Sequence, residues 1–164
     1  MPRECANTPR HFSSGDNMDH SIVPIGTEHY DRLAELWEAS VRATHDFLPE
    51  GYIEHLRPLV REQYLGFVEL RAWRDNQGRI QGFAGVHDGK LEMLFIDPTC
   101  RGKGIGKALL ANVIDKLGVR EVDVNEQNPQ AVGFYLKQGF VQTGRSEVDG
   151  QGDPYPLLHL KLGG

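Results

Sequence analysis

The chain has 164 residues, enough for one domain with one core. At 39% hydrophobic and 25% charged, with a net charge of −5, it has the make-up of a globular protein, and a broadly basic nucleic-acid binder is excluded as a class. No apolar run reaches membrane length and the N-terminus carries no apolar signal core, so no membrane partner is expected and the expected compartment is the cytoplasm.

Two cysteines, Cys5 and Cys100, are too few to argue a disulfide framework and read as thiols of a reducing compartment. Residues 1–17, MPRECANTPRHFSSGDN, are polar, hold two prolines and show no apolar period. They read as a disordered leader or extension, with the folded domain over 18–164. SIVPI (Ser21 to Ile25) is an expected strand. A helix follows, with Thr27 as its N-cap and Tyr30, Leu33, Ala34, Trp37 and Val41 at helical spacing. Pro49 to Leu65 is a second helical stretch that Pro58 should bend or split.

FVELRAWRD, RIQGFAGVHDG and KLEMLFIDP are three expected strands, and the short DNQG and HDG turns make them antiparallel hairpins. A helix from Gly104 to Gly118 has one broad apolar face, and VREVDVNEQ is the next strand. Asn128, Pro129 and Gly139 are the N-cap, first turn and stop of a last helix, before two final strands. The order implies an α+β fold, a mixed sheet covered by helices.

The segment LFIDPTCRGKGIGKALL passes from strand to helix through Arg101, Gly102, Lys103, Gly104, Ile105, Gly106 and Lys107. It is not a Walker loop, because Arg101 stands where the first glycine should be and Ala108 where a hydroxyl should follow the lysine. It is not the dinucleotide fingerprint either, since Lys107 or Leu109 takes the third glycine's place. Exposed backbone N–H groups beside a helix N-terminus still make a phosphate site, and glycines let the anion come close. A glycine-rich surface turn is the other reading of the loop alone.

Leu91 to Phe140 resembles the GNAT superfamily of acetyl-CoA-dependent N-acetyltransferases. Arg101, Gly104 and Gly106 match its [QR]-x-x-G-x-[GA] signature. Asn128, Ala131, Tyr135, Gly139 and Phe140 match the pattern that follows, with Phe134 beside Tyr135. The stretches ATHDFL, VDVNEQN, QAVGFY, TGRSEVD and PYPLL extend the resemblance to the YjaB-type bacterial branch, from about residue 20 onward. The resemblance implies a mostly antiparallel sheet with acetyl-CoA held where two parallel strands, LEMLFI and REVDVN, splay apart.

It implies roles for particular residues as well. The 101–107 loop would carry the pyrophosphate, the backbone of Leu94, Phe95 and Ile96 would pair with the pantetheine arm, and Asn128 and Phe134 would line it. From spacing alone Asn128 is an N-cap and Tyr135 an amphipathic tyrosine at the core edge. The resemblance makes Tyr135 the general acid that protonates the departing thiolate. Many members carry a glutamate at the position aligned with Lys90; here Glu92, two residues on and on the same face by alternation, is the candidate base through a water. His45 is a candidate substrate contact or base, or else a helix-terminal histidine favoured by the dipole. His87 and His159 read as structural, and no His/Cys/Asp cluster has metal-ligand spacing, so no metal is expected. The expected acceptor is an amine, a protein lysine first and a small amine second, by direct attack in a ternary complex. A non-catalytic acetyl-CoA sensor is the rival, and the oligomeric state cannot be read from the sequence.

Overall fold

The computed structural model describes residues 21–163; the proposed extension and Cys5 lie outside them. Strands β1 (Ser21–Pro24), β2 (Glu69–Arg74), β3 (Ile80–His87) and β4 (Lys90–Ile96) are antiparallel neighbours. The turn between β2 and β3 is organised by Asp75. Its buried carboxylate accepts the backbone N–H groups of Gln77 and Arg79 at 2.9 and 3.0 Å and the Gln81 amide at 3.2 Å. Burial pushes this carboxyl up, and those hydrogen bonds outweigh it and hold it below the usual range.

Beyond β4 come β5 (Glu121–Asn125), β6 (Phe140–Ser146) and β7 (Leu157–Leu162), and the seven strands lie in the order β1-β2-β3-β4-β5-β7-β6. The pair β4–β5 is parallel and joins at only two positions, Lys90 opposite Glu121 and Leu91 opposite Val122. From Glu92 onward the two strands diverge, which leaves one edge of β4 without a strand partner among the described residues.

Helices cover both faces. On one face α1 (Tyr30–Thr44), α2 (Glu50–Leu59) and α3 (Leu65–Phe67) pack Leu33, Trp37, Ile53 and Leu65 against Phe83 and Met93. On the other, α4 (Ile105–Leu117) and α5 (Pro129–Lys137) pack Leu109, Val113 and Tyr135 against Val122 and Leu160. Gly82 lets α4 approach β3: a Cβ there would stand 2.9 Å from Ile96 Cδ1 and 3.0 Å from Ile105 Cγ2.

Three local readings need correction. Thr27 is not the cap of α1; it opens a short 3₁₀ turn, Thr27–His29, and α1 starts at Tyr30 with no side-chain cap. Pro58 does not split its helix. The chain stays helical through it and then widens into a π-turn, Val60–Tyr64, that leads into α3. A proline lacks the N–H for the preceding turn's carbonyl and crowds it, which accounts for the local change of pitch. Cys100, read as a thiol, is disulfide-bonded. Asn128 does cap α5, its Oδ1 accepting from Ala131 N–H at 3.2 Å.

Candidate active site

The β4–β5 splay opens into a cleft of about 320 Å³. Its floor is β4. Asp97 N–H bonds to Gln81 O at 2.9 Å, and antiparallel pairs alternate between bonded and non-bonded. The peptide groups of Phe95 therefore turn toward β3, and those of Leu94 and Ile96 face the cleft. An extended ligand finds donors and acceptors there at strand spacing.

The glycine loop closes one end. Asp97 fixes its entry by accepting Thr99 N–H at 2.9 Å and Thr99 Oγ1–H at 2.8 Å, with Arg32 alongside at 3.4 Å. Gly102 and Gly104 have φ of 78° and 83°, a left-handed conformation that side chains resist, and among the described residues no atom beyond the adjoining chain stands within 4 Å of where their Cβ atoms would be. Gly104 is the N-cap of α4, so the unpaired N–H groups of the helix's first turn face the same open space. The cleft lining includes Arg101 and Lys107 as well as Gly104 and Gly106. The donors, the dipole end and the two cations suit a pyrophosphate.

Asn128, Phe134 and Tyr135 form the opposite wall. With Oδ1 committed to the cap, Nδ2 is the group that Asn128 can offer a ligand. Tyr135 is buried and held edge-on between Phe134 and Phe140, with ring centroids 5.1 and 5.7 Å away. Burial alone raises its phenol well above the ordinary tyrosine value, so near neutrality it is a proton donor and hydrogen-bond donor.

His45 follows α1 and borders this cleft and a second cavity of about 230 Å³; so does Phe95. Thr44 Oγ1 lies 2.8 Å from Ser40 O and 2.7 Å from His45 Nδ1. The hydroxyl's one proton goes to the Ser40 carbonyl, so Nδ1–H donates to Thr44 and Nε2 keeps its lone pair. Burial, then the Arg101 charge, lower the imidazole to about 4, against the opposing pull of Asp46. His45 is thus neutral, and the reading of a dipole-stabilised cation is corrected.

The second cavity lies under the first helices and the β6–β7 loop. Tyr52, Tyr155, Asp149, Glu92 and Asn125 are among its walls. Tyr52 donates to Asp153 at 2.9 Å, and the Tyr52 and Tyr155 rings stand 5.2 Å apart. Glu92 is the extra residue of a β-bulge opposite Gly85–Val86, and it and Met93 both line this cavity. Lys90 instead binds Asp123 on β5 at 2.5 Å. Asp123 in turn pairs with His159 at 2.7 Å, and His159 with Ser146 at 2.6 Å, so His159 ties three strands together. His87 stacks on Phe67 at 4.0 Å. Sequence reasoning missed Tyr52, Asp149 and Tyr155; nothing in one sequence joins Tyr52 to an aspartate 97 residues later. Among the described residues there is no cluster that could hold a metal, and no helix long and apolar enough to cross a membrane.

A splayed strand pair closed at one end by a glycine loop and two cations suits an extended ligand that ends in a pyrophosphate, as an acyl-coenzyme A does, and the sequence comparisons give the class. The acetyltransferase (GNAT) domain family matches residues 59–153. The chain belongs to the GNAT family and is an N-acetyltransferase that uses acetyl-CoA. It is similar to the peptidyl-lysine N-acetyltransferase YjaB of Salmonella typhimurium, at 45% identity over 133 residues, 81% of this chain and 91% of that protein. YjaB of Escherichia coli K12 is 44% identical, with 81% and 90% covered. The solution structure of apo-form E. coli YjaB gives a TM-score of 0.79 at 41% identity, covering 88% of this chain and 98% of that one. The PaiA N-acetyltransferase of Thermoplasma acidophilum, solved with coenzyme A, shares the fold with a TM-score of 0.69 at 23% identity, over 88% and 99%.

Proposed function

We propose that residues 18–164 form one catalytic domain that transfers acetyl from acetyl-CoA directly to a primary amine, the side chain of a protein lysine, in a ternary complex. The observation that carries this reading is the junction at His45 and Phe95: a cleft suited to an extended pyrophosphate ligand meets a separate cavity at one point. Two reactants held end to end there gain effective concentration, which can supply ~7–11 kcal/mol of the barrier. The acceptor class is supported by the relatives named for peptidyl-lysine acetylation. On this reading the enzyme works in the cytoplasm, where its polyanionic co-substrate is confined because it does not cross a bilayer.

Bound acetyl-CoA supplies an activated thioester. The 101–107 loop holds its pyrophosphate, and Leu94, Ile96 and Asn128 offer polar groups to its arm. A cleft-facing N–H of Leu94 or Ile96 stabilises the carbonyl oxygen as charge builds on it. Tyr135 gives its phenolic proton to the sulfur as the C–S bond breaks, and the second proton that the attacking nitrogen sheds in becoming an amide replaces it, so that one proton is released overall. The acceptor ammonium, with an ordinary pKa of ~10.4, must lose a proton before it attacks. Glu92, on the outer part of the second cavity, attracts it and passes that proton to water. His45 has too low a proton affinity to store a proton from the amine; its Nε2 lone pair accepts an N–H and aims the nitrogen at the carbonyl.

The test is acetyl transfer to lysine peptides, N-terminal peptides, polyamines, amino acids and aminoglycosides, read by mass, with wild type and Tyr135→Phe side by side. Lysine peptides should react, and the phenylalanine variant should be slower by about 100-fold while binding coenzyme A unchanged. Transfer at an equal rate by both proteins would refute the acid role. Tight acetyl-CoA binding with no product from the lysine peptides would refute the lysine-acceptor reading.

A further inference from the structure

The second cavity does not end at Glu92. A surface groove of about 580 Å³ continues from it and shares four of its walls: Tyr64, Glu92, Met93 and Gln151. The groove adds Gln63, Phe67, Val68 and Gly150. We propose that this groove holds the polypeptide that carries the acceptor lysine, and that Phe67, Val68 and Met93 select an apolar side chain next to that lysine. The inference rests on the lysine acetyltransferase reading above and adds to it where the chain lies and what flank it prefers.

The register along β4 sets the length. Met93 belongs to both the groove and the cavity, and Phe95 to both the cavity and the acetyl cleft. Two residues of strand rise about 6.6 Å. An extended lysine side chain of four methylenes reaches roughly 6 Å from Cα to Nζ. A lysine whose Cα sits at the level of Met93 therefore brings its nitrogen to Phe95 and His45. A small amine would need only the inner cavity; the open groove outside gives room for main chain on either side.

The groove's chemistry sets the flank. Phe67 is 57% exposed although it is a large apolar ring, and it is propped in place by stacking on His87 at 4.0 Å. Phe67 and Val68 are adjacent at the end of the helical cover, with Met93 on the cavity's wall. That is a ready apolar seat beside the cavity mouth. Gln151 donates to Tyr64 OH at 2.5 Å, joining the β6–β7 loop to the π-turn at residues that line both the groove and the cavity.

The experiment uses two peptides identical except that a leucine or a serine adjoins the single lysine. Their dissociation constants from the coenzyme A-saturated protein are measured by titration calorimetry, for wild type and Phe67→Ser. Acetylation of both peptides and of flankless Nα-acetyl-lysine amide is measured alongside. The leucine peptide should bind wild type about tenfold tighter than the serine peptide, as partial burial of one leucine allows. Phe67→Ser, at an exposed position, should abolish that preference and leave the flankless amine's rate unchanged. Equal binding of the two peptides, or a preference that survives Phe67→Ser, overturns the proposal. Flank-selective binding that Phe67→Ser abolishes, with no acetyl transfer to either peptide, would sink the proposed function and leave the groove only as a peptide-binding site.

Discussion

Acid should weaken the fold through His45 in a measurable way. The imidazole falls from its ordinary value of 6.5 to about 4, because it is buried and faces Arg101. A histidine whose pKa is depressed by folding is protonated more readily in the unfolded chain. Between pH 6.5 and about 4 the unfolded state binds the extra proton, so stability rises with pH across that window and is lost as pH falls. It is intact above pH 6.5. The whole gap corresponds to about 3 kcal/mol, and roughly 2 kcal/mol of it should be gone by pH 4.5. His45→Asn keeps a donor near Nδ1 and cannot titrate. Urea unfolding of both proteins at pH 7.5 and 4.5 isolates the effect, since every other group titrates in both. The loss from pH 7.5 to 4.5 should be roughly 2 kcal/mol larger for wild type. Equal losses would refute the argument, and so would an NMR titration of the His45 ring with a midpoint near 6.5. Arg101→Gln should raise that midpoint, because it removes the second cause of the shift.

Gly104→Ala places a Cβ at φ of 83°; thermal unfolding should show a loss of about 1 kcal/mol, and coenzyme A should bind at least several-fold more weakly. Acetyl-CoA or coenzyme A at 100 times its dissociation constant should stabilise the protein by ~2.7 kcal/mol in a thermal shift, and ATP should not; equal stabilisation by ATP would count against the pyrophosphate-plus-pantetheine site. Asp75→Ala strips the β2–β3 turn of the acceptor for Gln77, Arg79 and Gln81, so urea unfolding should show a loss of roughly 3 kcal/mol. Asp75→Asn keeps one acceptor oxygen and should lose less.

What the sequence reveals of this protein divides along a physical line. On the proposed reading the donor half of the site works through backbone: left-handed glycines, a helix start, a strand edge. Those features demand particular residues at fixed spacing, so the glycine loop before α4, the Asn128 cap and the succession of elements along the chain are readable from the chain alone, and the ligand they serve only through the family resemblance. The parallel pairing of β4 with β5 was readable only through family resemblance, because nothing local marks where two strands part. The proposed acceptor half is built of side chains from segments far apart. Tyr52 meets Asp153, 101 residues on, and Gln151 meets Tyr64 across 87. No spacing rule links such positions. His45 shows the same divide within one residue: its place at the end of α1 was legible, but its charge state was not. A helix C-terminus favours the imidazolium. Burial and Arg101, which only the tertiary fold supplies, reverse that preference and leave a neutral imidazole at the point where the two cavities meet.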